Sequence, residues 1–220
     1  MLKSFLSLFL KSPCPLCQRS TSEIICSYCQ KHLQKCEVID RTQFWQGELP
    51  VFAWGAYGGS LKQAIAKMKY ESHPELGELM GTWLAKTWLT SAVGKSAKKL
   101  TVVPIPLYKS KLQERGFNQA EIIAKSFCRL TGYTLQKQGL ERVRNTKPLF
   151  GLSAIERERN LDGAFRIGKD FQASFPKSPV LLVDDIYTRG TTVKQASKVL
   201  SGKGIKVFGV VTASLVTRDP

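Results

Sequence analysis

The stretch that most limits what this chain can fold into is Val180-Leu-Leu-Val183-Asp184-Asp185-Ile-Tyr-Thr188-Arg189-Gly190-Thr191-Thr192. Four apolar residues in a row predict a strand covered on both faces, as in a parallel sheet with helices above and below it. Two adjacent carboxylates end that strand, and a short loop with hydroxyls and one glycine follows. Val193, Ala196, Val199 and Leu200 then recur at helical spacing as far as Gly202 and Gly204. At a helix N-terminus the free N–H groups and the dipole attract an anion, above all a phosphate. Gly190 lets the backbone come close to it, and Thr188, Thr191 and Thr192 offer hydroxyls. The carboxylates stand where ligands bind in open α/β sheets, and they can accept from two neighbouring hydroxyls such as a ribose diol. The ligand these residues predict is a ribose 5-phosphate unit. The plain alternative is a strand and capped helix whose Asp pair is merely solvated.

The chain has 220 residues, 43% of them hydrophobic, enough for one large domain and a small module, and this excludes global disorder. Lys and Arg number 33 against 17 Asp and Glu, a formal charge of +16. That excess favours polyanionic partners (nucleic acid, phosphorylated small molecules or an anionic membrane) without choosing among them. The cysteines say more. Cys14-Pro-Leu-Cys17 and Cys26-Ser-Tyr-Cys29 are two C-x-x-C pairs, and four thiolates complete a tetrahedral zinc shell. A full shell leaves no open position, so the zinc is expected to be structural and to supply much of the folding free energy of a small segment. Clustered cysteines also favour a reducing compartment over a disulfide scaffold. A redox dithiol is the rival, though it needs only one pair. His32 and Cys36 are spare donors left outside the set.

Within Met1 to Ser12, Leu2, Phe5, Leu6, Phe9 and Leu10 share a helical face, too short to span a membrane and lacking a signal-peptide cleavage site. A short helix packing on the body is expected, with membrane-surface contact as the alternative. Residues 36–50 read as a linker and Val51–Tyr57 as a strand. A helix capped by Ser60 carries Leu61, Ala64, Ile65 and Met68, with Lys67 and Lys69 solvated. Pro74 breaks the chain before a second helix bearing Leu76, Met80, Trp83, Leu84 and Trp88. Lys95, Lys98 and Lys99 form a basic loop. Leu100–Leu107 reads as a strand ending at Pro104 and Pro106. A basic loop with Lys109, Lys111, Arg115 and Gly116 follows, and Asn118 caps the next helix. Cys128 on that helix reads as an ordinary buried thiol. Ser153 to Glu156 is a capping-box signature, Phe165–Ile167 a short strand, and residues 205–216 a last apolar strand. From about residue 100 strands and helices alternate, which predicts a mainly parallel α/β sheet.

The Val180–Thr192 stretch resembles the phosphoribosyl pyrophosphate (PRPP) motif of type I phosphoribosyltransferases. That resemblance implies that Asp184 and Asp185 face the ribose hydroxyls and that Thr188, Arg189, Gly190, Thr191 and Thr192 wrap the 5-phosphate; Arg189 stands where the family usually has a small residue. The double C-x-x-C, Val102-Val-Pro-Ile-Pro-Leu107, Arg115-Gly-Phe-Asn-Gln-Ala120, the Tyr57–Tyr70 region, Arg142-x-Arg144-Asn-Thr146-Lys-Pro148 and Glu158–Phe165 together resemble the ComF family over nearly the whole chain. One deviation is Leu149-Phe150, where a Gln often follows the proline.

The resemblance implies a type I phosphoribosyltransferase-like sheet in residues 49–220, preceded by a helix and four-cysteine zinc module in residues 1–48. It places Pro104 and Pro106 at the edge of a pyrophosphate loop, and Arg115 on a mobile loop closing over PRPP. It implies a cytoplasmic role in DNA uptake and natural transformation, handling incoming single-stranded DNA, with other DNA-uptake proteins as further partners. Lys62, Lys67, Lys95, Lys98, Lys99, Arg142 and Arg144 are candidates for a polyanion path. Trp45, Trp54, Tyr57 and Tyr70 are candidates for base stacking, with core packing as the alternative for each. A second reading is an active phosphoribosyltransferase of nucleotide metabolism or salvage, using Mg²⁺ with PRPP. A third is a zinc-dependent redox or scaffold protein.

Overall fold

A computed structural model of the chain describes residues 11–40, 42–145, 156 and 161–216. Residues 1–10 of the helix expected within Met1 to Ser12 and most of the capping-box segment lie outside these, and Ser12 belongs to a strand rather than that helix. Ser12 pairs with Thr21 in a two-stranded antiparallel ribbon, β1 (Ser12–Pro13) and β2 (Ser20–Thr21).

Among the described residues the main sheet has five strands, β3 (Val51–Ala56), β4 (Thr101–Pro104), β5 (Thr134–Leu135), β8 (Val180–Tyr187) and β9 (Val207–Leu215). Their spatial order is β3-β9-β8-β4-β5 and every pairing is parallel, as the alternation of elements predicts. A small antiparallel pair, β6 (Leu140–Arg142) and β7 (Phe165–Ile167), lies apart from it. Val180, Leu181, Leu182 and Val183 are fully buried. Side chains alternate across a strand, so Leu181 and Val183 join one apolar cluster and Val180 and Leu182 the other. The first cluster packs under the helices Gly59–Tyr70, Pro74–Thr90 and Gln119–Thr131, the second under Thr191–Ser201 and Lys169–Ala173. Trp88 is completely buried and stands edge-on to Phe52 and Phe127.

Pro74 begins the second helix as its first residue, where a missing N–H costs nothing. The first helix is preceded by Gly58 rather than capped by Ser60. Part of the basic loop around Lys95 is a helical turn, Ala92–Ser96, capped by the Ser91 hydroxyl, which accepts from Gly94 N–H at 3.0 Å. The basic loop after Pro106 is also helical over Lys109–Arg115. None of its residues is buried, which is why it lacks an apolar repeat, and it stops at Gly116 with φ +81°.

The helices Pro74–Thr90 and Gln119–Thr131 touch through Gly81. A Cβ there would lie 2.4 Å from the Ile123 carbonyl oxygen. Alanine in a helix interior ordinarily gains about 1 kcal/mol over glycine. Here a backbone atom blocks it, and overpacking wins. Gly81→Ala is expected to destabilise the protein by roughly 1–3 kcal/mol, read as a lower urea midpoint with an unchanged slope.

Candidate ribose phosphate cleft and cysteine site

The acid pair does not end the strand. β8 runs on to Tyr187, so Asp184 and Asp185 lie within it, and Asp184 still pairs with Thr212 of β9. On the other side β4 stops at Pro104, opposite Val183, and the last bond across is Ile105 N–H to Val183 O at 2.9 Å. From Asp184 onward the β4 side of β8 is therefore uncovered. The chain also diverges here: β4 leads outward to β5, and β8 leads the opposite way to β9. A crevice at such a switch point is where open α/β sheets bind ligands.

A cleft of about 290 Å³ opens there, lined by residues including Asp184, Asp185, Thr188, Thr192, Pro106 and Arg115. Pro104 is buried in β4 behind the cleft. Arg189 is exposed, and Thr191 starts the helix Thr191–Ser201. Gly190 caps that helix at φ +74°, and a Cβ there would stand 2.2 Å from the Tyr187 hydroxyl. Only glycine fits both the turn and the ring. Among the described residues no protein acceptor engages the N–H groups of Thr188 to Thr192. The loop is open to an oxyanion.

Among the described residues three cations face the carboxylates. Lys69, which the sequence reading leaves solvated, reaches Asp185 Oδ2 at 2.5 Å from the end of the Gly59–Tyr70 helix. Burial pulls its ammonium down, but the Asp185 and Asp184 charges outweigh that and leave its pKa above the ordinary value. Arg142 lies on β6, its pKa lowered by burial and partly restored by the Asp184 charge. Arg115 donates to Gln119 Oε1 at 2.6 Å. Asp184 Oδ1 accepts from Asp185 N–H at 2.9 Å, and Asp185 Oδ1 from Ile186 N–H at 2.8 Å. Burial, and then the neighbouring Asp185 charge, push the Asp184 carboxyl up to about 8. Asn118 caps its helix as expected, accepting from Ala120 N–H, and also ties it to β4's end by donating to Ile105 O at 3.0 Å.

Of the other basic candidates, Lys67 pairs with Glu71 at 2.6 Å and Arg144 donates to the Asp162 carbonyl. Lys62, Lys95, Lys98, Lys99, Lys109 and Lys111 do not line the cleft.

The four C-x-x-C cysteines meet. Their Sγ atoms all lie within 4.8 Å of one another, with Cys17 and Cys26 at 3.5 Å. Zinc–sulfur bonds of about 2.3 Å in a tetrahedron put sulfurs about 3.8 Å apart, so the cluster fits such an ion. Cys26 N–H points at Cys14 Sγ at 3.4 Å. The Cys29 N–H, outweighing burial, helps draw the Cys26 thiol down to about 7. Burial, then the neighbouring thiols, raise the Cys29 thiol. Four sulfurs brought this close offer the donor set of a thiophilic cation. Cys36 bonds weakly to the His32 and Gly58 carbonyls and stands outside the cluster with His32. Burial pushes the Cys128 thiol up to about 12, as suits an inert core residue.

A scan of protein-family profiles finds no match to the chain. Curated proteins do match it. Competence protein F of Haemophilus influenzae (strain Rd) is 28% identical over 206 residues, 90% of this chain and 85% of that one. Competence protein ComFC of Bacillus subtilis is 28% identical over 204 residues, 92% of this chain and 77% of that one. The chain is similar to both competence proteins over 90% or more of its length. DNA utilization protein YhgH of Escherichia coli K12 is 25% identical over 205 residues, 87% of this chain and 85% of that one. Among solved structures, adenine phosphoribosyltransferase of Leishmania tarentolae overlays with a TM-score of 0.40 at 13% identity, covering 82% of this chain and 96% of that one. The sheet order described above, and not this overlay, carries the fold. Among the described residues no helix is long and apolar enough to cross a membrane.

Proposed function

We propose that this protein binds PRPP, or a closely related ribose phosphate, in the cleft at the end of β8, and serves DNA uptake in the cytoplasm by handling incoming single-stranded DNA. One observation carries the ligand: the half-buried Asp184 and buried Asp185, unengaged loop amides and three cations converge, among the described residues, where β4 stops and β8 continues. Asp184 and Asp185 accept from the ribose hydroxyls. Thr188 and Thr192, with the amides of Thr188 to Thr192, hold the 5-phosphate at the helix N-terminus. Arg115 and Arg142 face the pyrophosphate. The paired carboxylates offer the hard oxygen donors Mg²⁺ prefers; entering with PRPP, the ion would screen pyrophosphate charge. Residues 1–48 are assigned to the zinc module and residues 49–220 to the ligand-binding domain. The names of the three curated relatives support the DNA role, as does the charge of +16.

The second reading, an active phosphoribosyltransferase, is favoured by the placing of Arg115 and Arg142 beside the acid pair, where they would stabilise a departing pyrophosphate. One set of measurements separates the two. Calorimetry with PRPP is expected to show saturable one-site binding. Single-stranded DNA binding is expected to fall linearly with salt on a log–log plot. Pyrophosphate release from PRPP with a panel of bases would favour the enzyme. Absence of PRPP binding by the zinc-loaded protein would remove the ligand assignment, and absence of salt-sensitive DNA binding the DNA role.

A further inference from the structure

Of the four aromatic candidates for base stacking, three are packed into the protein. Trp54 is buried and stacks on Trp83 at 4.9 Å, Trp45 lies against Trp88 and Gly209, and Tyr57 packs against the same apolar cluster. Tyr70 is 77% exposed. It is the last residue of the Gly59–Tyr70 helix, and the residue before it, Lys69, reaches into the cleft to Asp185. Tyr70 therefore stands at the mouth of the cleft. Arg115, which lines that cleft, holds its guanidinium carbon 5.7 Å from the centre of the Tyr70 ring and is itself fixed by Gln119.

A ring in water, backed on one face by a guanidinium, is a site for a flat π-system on its other face. A base cannot enter between Tyr70 and Arg115, because two stacking steps need about 7 Å. The outer face is the one available. The chemistry of the cleft restricts what arrives there. An acid pair that recognises a ribose diol gains less from a deoxyribose, which lacks the 2′-hydroxyl. A DNA strand would thus leave the ribose position to PRPP and engage the rim through a base.

We infer that Tyr70, backed by Arg115, is a stacking platform for an unpaired base of single-stranded DNA at the mouth of the ribose phosphate cleft. This rests on the DNA-handling reading above and gives it a contact point. The strand's phosphates meet the cationic surroundings set by Arg115 and the chain's positive charge, and the base meets the ring.

The test compares wild type, Tyr70→Ala, Tyr70→Phe and Tyr70→Trp by fluorescence anisotropy. The two probes are oligo-dT and an oligomer of equal length made of abasic sites, with thermal midpoint and zinc content confirming that each variant is folded. Tyr70→Ala should weaken oligo-dT binding roughly tenfold and leave abasic binding unchanged. The Phe and Trp variants should keep oligo-dT affinity within about twofold, since they retain an aromatic face. Equal losses on both probes, or no loss on oligo-dT, would overturn the platform while leaving DNA binding in place. Failure of the wild type to bind either probe would overturn the DNA-handling reading and the platform with it. PRPP calorimetry would then still decide the ligand assignment separately.

Discussion

Replacing Cys14 by serine is expected to abolish zinc binding at the four-cysteine cluster and to lower the protein's thermal stability substantially. Cys14 is fully buried, and it belongs to the same apolar cluster as Leu33, Phe52, Trp54 and Leu61. The module's folding and the packing of that sheet face are therefore one event. Structural zinc sites are worth roughly 10–16 kcal/mol of apparent binding energy in small peptides. Losing a part of that, about 5 kcal/mol, would lower the midpoint of a domain this size by roughly 10–20 °C. The purified protein should carry one zinc per chain by elemental analysis, and a strong chelator should reproduce the Cys14→Ser melting curve. A protein isolated without metal, whose Cys14→Ser variant melts like wild type, would end the zinc assignment.

Converting both Asp184 and Asp185 to asparagine should lower PRPP affinity by at least about 100-fold. Above pH 8, where Asp184 as well as Asp185 is ionised, each carboxylate is expected to accept from a ribose hydroxyl in a charge-assisted bond worth roughly 1.5–3 kcal/mol, and two such losses span at least two decades. The fold should gain from one of the same changes. The Asp184 carboxyl, pushed up to about 8, lies above its unfolded value of about 4. Between those pH values the folded chain holds a proton that the unfolded chain has released. Stability from this group is fully present below pH 4 and is lost as pH rises through 8. Asparagine never ionises, so Asp184→Asn should melt above wild type at pH 8, with the difference vanishing near pH 4. Ligand-free melting curves across that range check the sign, and PRPP calorimetry on the same samples checks the cost to binding. Lower stability of Asp184→Asn at pH 8 would contradict the buried-acid account.

The buried strand, the helix capped by Asn118 and the meeting of four cysteines were legible because each leaves a local pattern. Val180 to Val183 is an unbroken apolar run, and Asn118 stands just before an apolar repeat. What escaped the sequence had no such pattern. The Lys109–Arg115 helix buries nothing and so shows no periodicity. The extension of β8 through Asp184 and Asp185 is held by β9 alone, and no residue within β8 announces that pairing. Strands β5 and β6 are two and three residues long, below the length at which alternation can be read. Lys69 looked like one more surface cation; only the packing of its helix against the sheet sets it at Asp185. A lysine one residue after a buried Met68, at the end of an amphipathic helix, was the single available hint.

The chain leaving the cysteine module does something else on its way to the sheet. Glu37 bridges Gly55 in antiparallel fashion, Val38 N–H bonds Trp54 O at 3.0 Å, and Ala56 N–H bonds Cys36 O at 2.8 Å, so this segment lies along the free side of β3. Gly55 permits the approach, since a Cβ there would meet the Cys36 carbonyl oxygen at 2.9 Å. β3 is an edge strand of the five-stranded sheet, and an uncovered edge is a template for another chain. Metal starvation should thus show itself less as a population of unfolded monomers than as insoluble, self-paired material, with the apolar Val51–Ala56 strand as the seam.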